Sequence, residues 1–189
     1  SMDLQPEGLW LATRQGLYIA DREGDLQPAP LAPELAGVRS RRFLVDGDRV
    51  WVAADTRGLF LYDRDAKTML AEHPIASIVT FIETLDADRV LLGAHDGLYW
   101  FDRRSGRLLH RHPVMTPPGP GQLPAGPSAL LQASNGRLWV ATYGGGLLEL
   151  LPAADGDPSR ATLRPALAGT ALAEGSLNAL LEDTGGRLW

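Results

Sequence analysis

The sequence predicts an all-β chain, a β-propeller of four-stranded antiparallel blades with about four blades in 189 residues. The first observation is a motif written four times and begun a fifth. It reads Leu9-Trp10-Leu11-Ala12-Thr13 then Gly16-Leu17-Tyr18, and Val50-Trp51-Val52-Ala53-Ala54 then Gly58-Leu59-Phe60. It recurs as Val90-Leu91-Leu92-Gly93-Ala94 then Gly97-Leu98-Tyr99, and as Leu138-Trp139-Val140-Ala141-Thr142 then Gly146-Leu147-Leu148; Leu188-Trp189 opens a fifth copy. The second observation is the period: the Trp positions lie 41, 40, 48 and 50 residues apart, the spacing of propeller blades. The third is the spread of 21 glycines and 14 prolines through the chain, which suits many tight turns between short strands.

Each repeat divides into four strands, as the second shows. Phe43-Leu44-Val45 is a first strand, Asp46-Gly47-Asp48 a turn and Val50–Ala53 a second strand. Asp55-Thr56-Arg57-Gly58 turns into Leu59–Tyr62, and Asp63–Lys67 turns into a fourth strand around Met69-Leu70-Ala71. Aliphatic, aromatic and β-branched residues fill the strands, and Asp, Asn and Gly fill the turns. Matching turns stand at Asp86-Ala87-Asp88, Ser134-Asn135-Gly136 and Asp183–Gly186. The units read as 8–48, 49–88, 89–136 and 137–186, with 176–189 starting or completing a further blade.

Second and third strands are apolar on nearly every residue, as expected of strands covered on both faces by neighbouring blades. Trp10, Trp51 and Trp139 therefore read as packing residues, and the small residues two positions on (Ala12, Ala53, Gly93, Ala141) as sites of close blade contact. Two connections are long: the Pro/Gly segment from Pro113 to Pro127, and the stretch from Ala153 to Gly175. Both read as links between blades on the face that carries the turns between second and third strands.

Composition excludes several functions. A formal charge of −5 gives no basis for nucleic acid as a partner. The absence of cysteine removes disulfides, thiolate nucleophiles and sulfur-ligated zinc. No apolar run has the length of a membrane span, and no signal peptide opens the sequence, where Ser1-Met2 reads as an expression remnant.

The run Asn135-Gly136-Arg137-Leu138-Trp139-Val140-Ala141-Thr142 followed by Gly146-Leu147, with closing acids at Asp21, Asp63 and Asp102, resembles the two-component regulator propeller repeat. The third copy departs by Leu91 in place of Trp, and the fourth lacks the closing Asp. The resemblance implies a seven-bladed propeller on the periplasmic side of a bacterial membrane receptor. It also implies a ligand, small molecule or carbohydrate, and an output kinase or cyclase domain in the full-length protein. Seven blades need about 300 residues. Three arrangements therefore stand: a four-bladed ring, an eight-bladed ring of two chains, or a part of a larger propeller. A chain that begins at a second strand (Leu9-Trp10) and ends on a first strand running into a second (Leu177 to Trp189) favours self-association through terminal strands.

The turns between second and third strands vary while the frame around them repeats, so specificity belongs there. Arg14, Gln15, Asp55, Arg57, His95, Asp96 and Tyr143 are the candidate ligand-binding residues, able to grip a polar ligand by charge-assisted and stacking contacts. Arg39, Arg41 and Arg42 approach the same rim as exposed strand ends. His110 and His112 share one face of an outer strand and read as a solvated edge, without a third metal ligand. Gly144-Gly145-Gly146 is a turn, since no Lys-Ser/Thr and no helix follow it. No catalytic residue, metal site or cofactor is assigned. A propeller lyase needs His and Glu converging near the axis, and only His95 is placed for that. The expected function is a non-catalytic sensor domain, with a protein-interaction scaffold as the alternative.

Overall fold

The computed structural model describes all residues except 31–34, 56, 116–117, 120–121, 167–168 and 171–172. Sixteen strands form four separate four-stranded antiparallel sheets, with strands in chain order across each. Blade 1 holds β1 (Met2–Gln5), β2 (Gly8–Thr13), β3 (Gly16–Ala20) and β4 (Leu26–Pro28). Blade 2 holds β5 (Ser40–Asp46), β6 (Arg49–Ala54), β7 (Gly58–Asp63) and β8 (Thr68–His73). Blade 3 holds β9 (Val79–Thr84), β10 (Arg89–Ala94), β11 (Gly97–Asp102) and β12 (Leu108–Pro113). Blade 4 holds β13 (Pro127–Gln132), β14 (Leu138–Thr142), β15 (Leu147–Leu151) and β16 (Thr162–Pro165). A fifth unit begins as a hairpin in which Leu181 and Trp189 exchange both backbone hydrogen bonds, at 3.0 and 2.8 Å.

Among the described residues no sheet closes on itself; the blades are joined through their faces. Trp10, Phe43, Val50, Val52, Phe60 and Tyr62 fill the seam between blades 1 and 2. Trp51, Leu59 and Leu61 meet Val90, Leu92 and Phe101 between blades 2 and 3. Leu91, Leu98 and Trp100 meet Val140, Leu148 and Leu150 between blades 3 and 4. Residues of one parity thus face backward and those of the other face forward, which is why β6, β7, β10 and β11 read as unbroken apolar runs. The three tryptophans are packing residues: Trp10, Trp51 and Trp139 are buried, and Trp51 meets Phe101 at 5.7 Å between ring centroids. Gly93 shows why a small residue recurs there, since a Cβ would lie 2.2 Å from the Phe81 ring.

Two expectations are corrected. The chain does not begin at a second strand, because Met2–Gln5 pairs with Gly8–Leu11 in full register. Alternate polar residues hide this strand from pattern reading, yet its backbone completes blade 1. Nor is Ala153–Gly175 a single connection between blades, because Thr162–Pro165 pairs with Leu148–Leu151 as the fourth strand. The insertion before it, with a 3₁₀ turn at Pro158–Arg160 capped by Asp157, lies on the opposite face. There the Gly156 carbonyl accepts from Arg89 Nη1 at 2.8 Å. Of the Pro/Gly segment, Pro117, Pro120 and Gly121 lie outside the described residues, as does Thr56.

Candidate functional site

The turns between second and third strands are short because a glycine opens the third strand of blades 1 to 3 and directly precedes that of blade 4. Gly58 has φ of +110°, and a Cβ there would meet the His73 carbonyl oxygen at 2.1 Å. Such turns hold their tips above the frame. The structure brings two of the seven candidates on different blades into contact. His95 and Tyr143 stack edge to face at 5.3 Å and 78°, above Gly126, around a cavity of about 500 Å³. A Cβ on Gly126 would stand 2.7–2.8 Å from the His95 backbone, so the link between blades 3 and 4 runs flush against the His95 turn. Tyr143 is 42% exposed, leaving a ring face available to a ligand.

The remaining candidates are engaged locally. Asp96 accepts from the Tyr99 hydroxyl at 2.8 Å and from Arg111 Nη2 at 2.7 Å, while the Arg111 guanidinium lies over the Tyr99 ring at 5.1 Å. Burial, and then the bond to Asp96, push the Tyr99 hydroxyl well above its ordinary range. Asp55 pairs with Arg41 and, at 3.5 Å, with Arg39, so Arg41 is anchored at the rim while Arg39 remains exposed. Arg57 lies 5.5 Å over Phe60. Arg14 and Gln15 line a separate groove of about 270 Å³ with Tyr18 and Leu26. Of the seven, His95 and Tyr143 meet across the blade 3–4 seam, Asp55 and Asp96 are paired within their own blades, and Arg14 and Gln15 line a separate groove.

His112 also departs from its reading as a solvated edge. It is buried, with its ring 6.2 Å from Trp100 and 4.6 Å from His110. Among the described residues the one cluster with metal-chelating spacing is the exposed Asp21, Glu23 and Asp25. There Asp21 Oδ1 already accepts from the Glu23 and Asp25 backbone N–H groups.

Sequence reasoning missed the axial cavity. First strands of all the blades, with the start of the fifth unit, surround a space of about 500 Å³ whose wall includes Asp3, Arg42, Thr80, Glu83, Ser128 and Asn178. Its upper wall is fastened from blade to blade at the irregular position of each first strand. Arg42 Nε donates to the Thr80 carbonyl at 2.6 Å, Thr80 Oγ1 to the Pro127 carbonyl at 2.8 Å, and Ser128 Oγ to the Leu177 carbonyl. Bulges at Val79/Phe81 and Pro127/Ala129 hold the Thr80 and Pro127 carbonyls that two of these bonds use.

Glu83 stands in this lumen and in a smaller adjoining cavity of about 260 Å³. Its side chain is exposed to the lumen, and partial desolvation by the surrounding wall raises its carboxyl above the ordinary value. No ion pair or hydrogen bond to its side chain is present among the described residues. The available signal was an acid directly after the largely apolar run Val79-Thr80-Phe81-Ile82.

Residues 123–144 match the family model described as "Two component regulator propeller", which bears out the repeat read from the sequence. No curated protein matches the chain. Among solved structures it is similar to the extracellular domain of the hybrid two component system BT3049 from B. thetaiotaomicron, at 16% identity and a TM-score of 0.71, covering 100% of this chain and 25% of that one. It is similar also to the extracellular domain of the hybrid two component system BT4673 from B. thetaiotaomicron, at 20% identity and a TM-score of 0.70, covering 98% and 24%. A third is PorZ, a surface component of the type-IX secretion system of Porphyromonas gingivalis, at 16% identity and a TM-score of 0.56, covering 100% and 26%. At these identities the likeness establishes the fold, and the chain spans about a quarter of each of those chains. Among the described residues no helix is long and apolar enough to cross a membrane.

Proposed function

We propose that this chain, which carries the two component regulator propeller repeat, is part of the ligand-sensing input propeller of a bacterial signalling receptor, on its extracytoplasmic side. Its task is binding without catalysis, with the output kinase or cyclase carried elsewhere in the receptor. Two of the similar structures are extracellular domains of hybrid two component systems, and this supports the sensor reading.

The observation that carries the ligand-binding part is Glu83. Glu83 is exposed within the lumen, and its carboxylate has no ion pair or hydrogen bond among the described residues, so it is free to accept from a ligand that supplies the missing donors. The partial desolvation that raises its carboxyl accords with such a site. The wall around it is mixed, with Leu44 and Leu130 beside Arg42 and Thr80. That suits a small polyhydroxylated or amino-substituted molecule, whose hydroxyl or ammonium groups would donate to Glu83. His95 and Tyr143 offer stacking to a sugar at the rim; Gly126, under them, lies two residues from Ser128 in the lumen wall.

The test is thermal denaturation against a panel of neutral and amino saccharides, since a ligand that binds only the folded chain raises the melting temperature. A shift with a saccharide that is lost in Glu83→Gln supports the reading. In the absence of ligand, Glu83→Gln is expected to be more stable than the parent at pH 7. The raised carboxyl is disfavoured in its charged form, so its cost is present above the folded pKa and vanishes as pH falls below the unfolded value. A saccharide shift retained by Glu83→Gln would place binding elsewhere.

A further inference from the structure

Glu83 shares the lumen with a cation that also lacks a counter-charge. Arg42, in β5, lines the same cavity, and both of its hydrogen bonds go to backbone carbonyls. Its Nε donates to Thr80 at 2.6 Å and its Nη1 to Arg41 at 3.0 Å. Its Nη2 makes no hydrogen bond, and the guanidinium no ion pair, among the described residues. Arg49, Arg103 and Arg137 differ, since each reaches an acid. Arg42 is thus held in a fixed direction with its charge unneutralised, as pre-organised recognition of an anion requires. Arg42, Thr80 and Glu83 stand on blades 2 and 3, which have a blade on either side in this chain. The placement of these charges therefore does not come from the position of either terminus.

The two charges are spaced for a bridging molecule. Arg42 is moored at Thr80, and Glu83 stands three residues further along β9. At about 3.3 Å per residue, the guanidinium and the carboxylate are separated by about 10 Å along the strand. A direct pair needs roughly 3 Å, so the two do not meet. Charge-assisted contacts of about 2.8 Å at each end leave about 4 Å for the molecule between them. That is the separation of ammonium and carboxylate in a short amino acid. Leu44, Ile82 and Leu130 in the same wall offer apolar surface to its carbon skeleton.

We propose that the lumen binds a short zwitterion, an α- or β-amino acid, with its carboxylate on Arg42 and its ammonium on Glu83. The inference rests on the lumen being the ligand site of the sensor, and it selects the amino-substituted class for that site. A neutral saccharide leaves Arg42 without an anion. A dicarboxylate meets repulsion at Glu83, and a diamine meets it at Arg42. A zwitterion satisfies both ends and is oriented by them.

Isothermal titration calorimetry with glycine, β-alanine and γ-aminobutyrate tests this, against acetate, propionate and ethylammonium as single-charge controls. The amino acid of fitting length should bind at least about tenfold more tightly than either control, the size of one charge-assisted hydrogen bond. Glu83→Gln should bring amino-acid affinity down to that of the carboxylates without weakening the carboxylates themselves. Arg42→Gln should bring it down to that of ethylammonium, and Arg42→Lys, which keeps the charge, should restore part of it. Circular dichroism checks that each variant is folded. Controls that bind as tightly as the amino acids overturn the proposal, as does amino-acid binding that survives both Glu83→Gln and Arg42→Gln. A saccharide response lost in Glu83→Gln, with no amino acid bound, overturns it while leaving the sensor reading in place. No response to saccharides or amino acids overturns both.

Discussion

Replacing Trp51 by alanine should be the most costly single change that leaves the backbone geometry alone. Trp51 is fully buried at the centre of the blade 2–3 seam, against Phe101, Val90 and Leu92. Burying a tryptophan removes some 150–250 Å² from water, which at about 25 cal/mol per Å² amounts to roughly 4–6 kcal/mol. Partial collapse of the seam brings the expected loss to about 4 kcal/mol. For a chain of this length that lowers the melting temperature by roughly 8–16 °C. Trp51→Phe provides the internal control. The indole N–H of Trp51 is buried without an acceptor among the described residues, so phenylalanine loses volume but relieves an unsatisfied donor, and its cost should stay below about 1.5 kcal/mol. Urea denaturation followed by far-UV circular dichroism measures both. A loss below about 1 kcal/mol for Trp51→Ala would refute the assignment of the tryptophans to blade packing.

Gly58→Ala should cost at least about 3 kcal/mol, because φ of +110° is strained for alanine and its Cβ would lie 2.1 Å from the His73 carbonyl oxygen. Gly47→Ala, at φ of +61° with open space around it, should cost about 1 kcal/mol, and the same denaturation assay separates them. Glu149, held by Arg137 and then Arg164, has its carboxyl pulled down to about 2. A depressed acid contributes stability that is whole above the unfolded value and is lost as pH falls through the folded one. The parent should therefore lose more stability than Glu149→Gln between about pH 4.5 and pH 2, and parallel pH profiles would contradict this.

The architecture was legible because propeller packing repeats. Val50-Trp51-Val52-Ala53 and Leu59–Tyr62 must bury both faces, so their apolar runs recur in each blade and announce themselves. Met2–Gln5 was not legible, since a first strand with Asp3 and Gln5 is defined by its pairing and not by its side chains. Thr162–Pro165 was hidden for the same reason, by Arg164 and Pro165 on an outer strand that tolerates them. Of the candidate site, the His95–Tyr143 contact joined two turns already singled out. The pairing of Asp55 and Asp96 with arginines of their own blades was not legible, because a polar turn residue looks alike whether it awaits a ligand or serves such an arginine. Glu83 went unnoticed because its meaning comes from the lumen, which forms when first strands that start 38–48 residues apart are set around one axis.

The most direct test of the central claim is an NMR pH titration of the Glu83 carboxyl carbon in the ligand-free chain. A midpoint above the ordinary 4.5 is the predicted result, marking an acid held in the lumen without a protein partner and available to a ligand. A midpoint at or below 4.5 would mean that the carboxylate is already satisfied by solvent or protein, and would contradict the account of the axial cavity as the binding site.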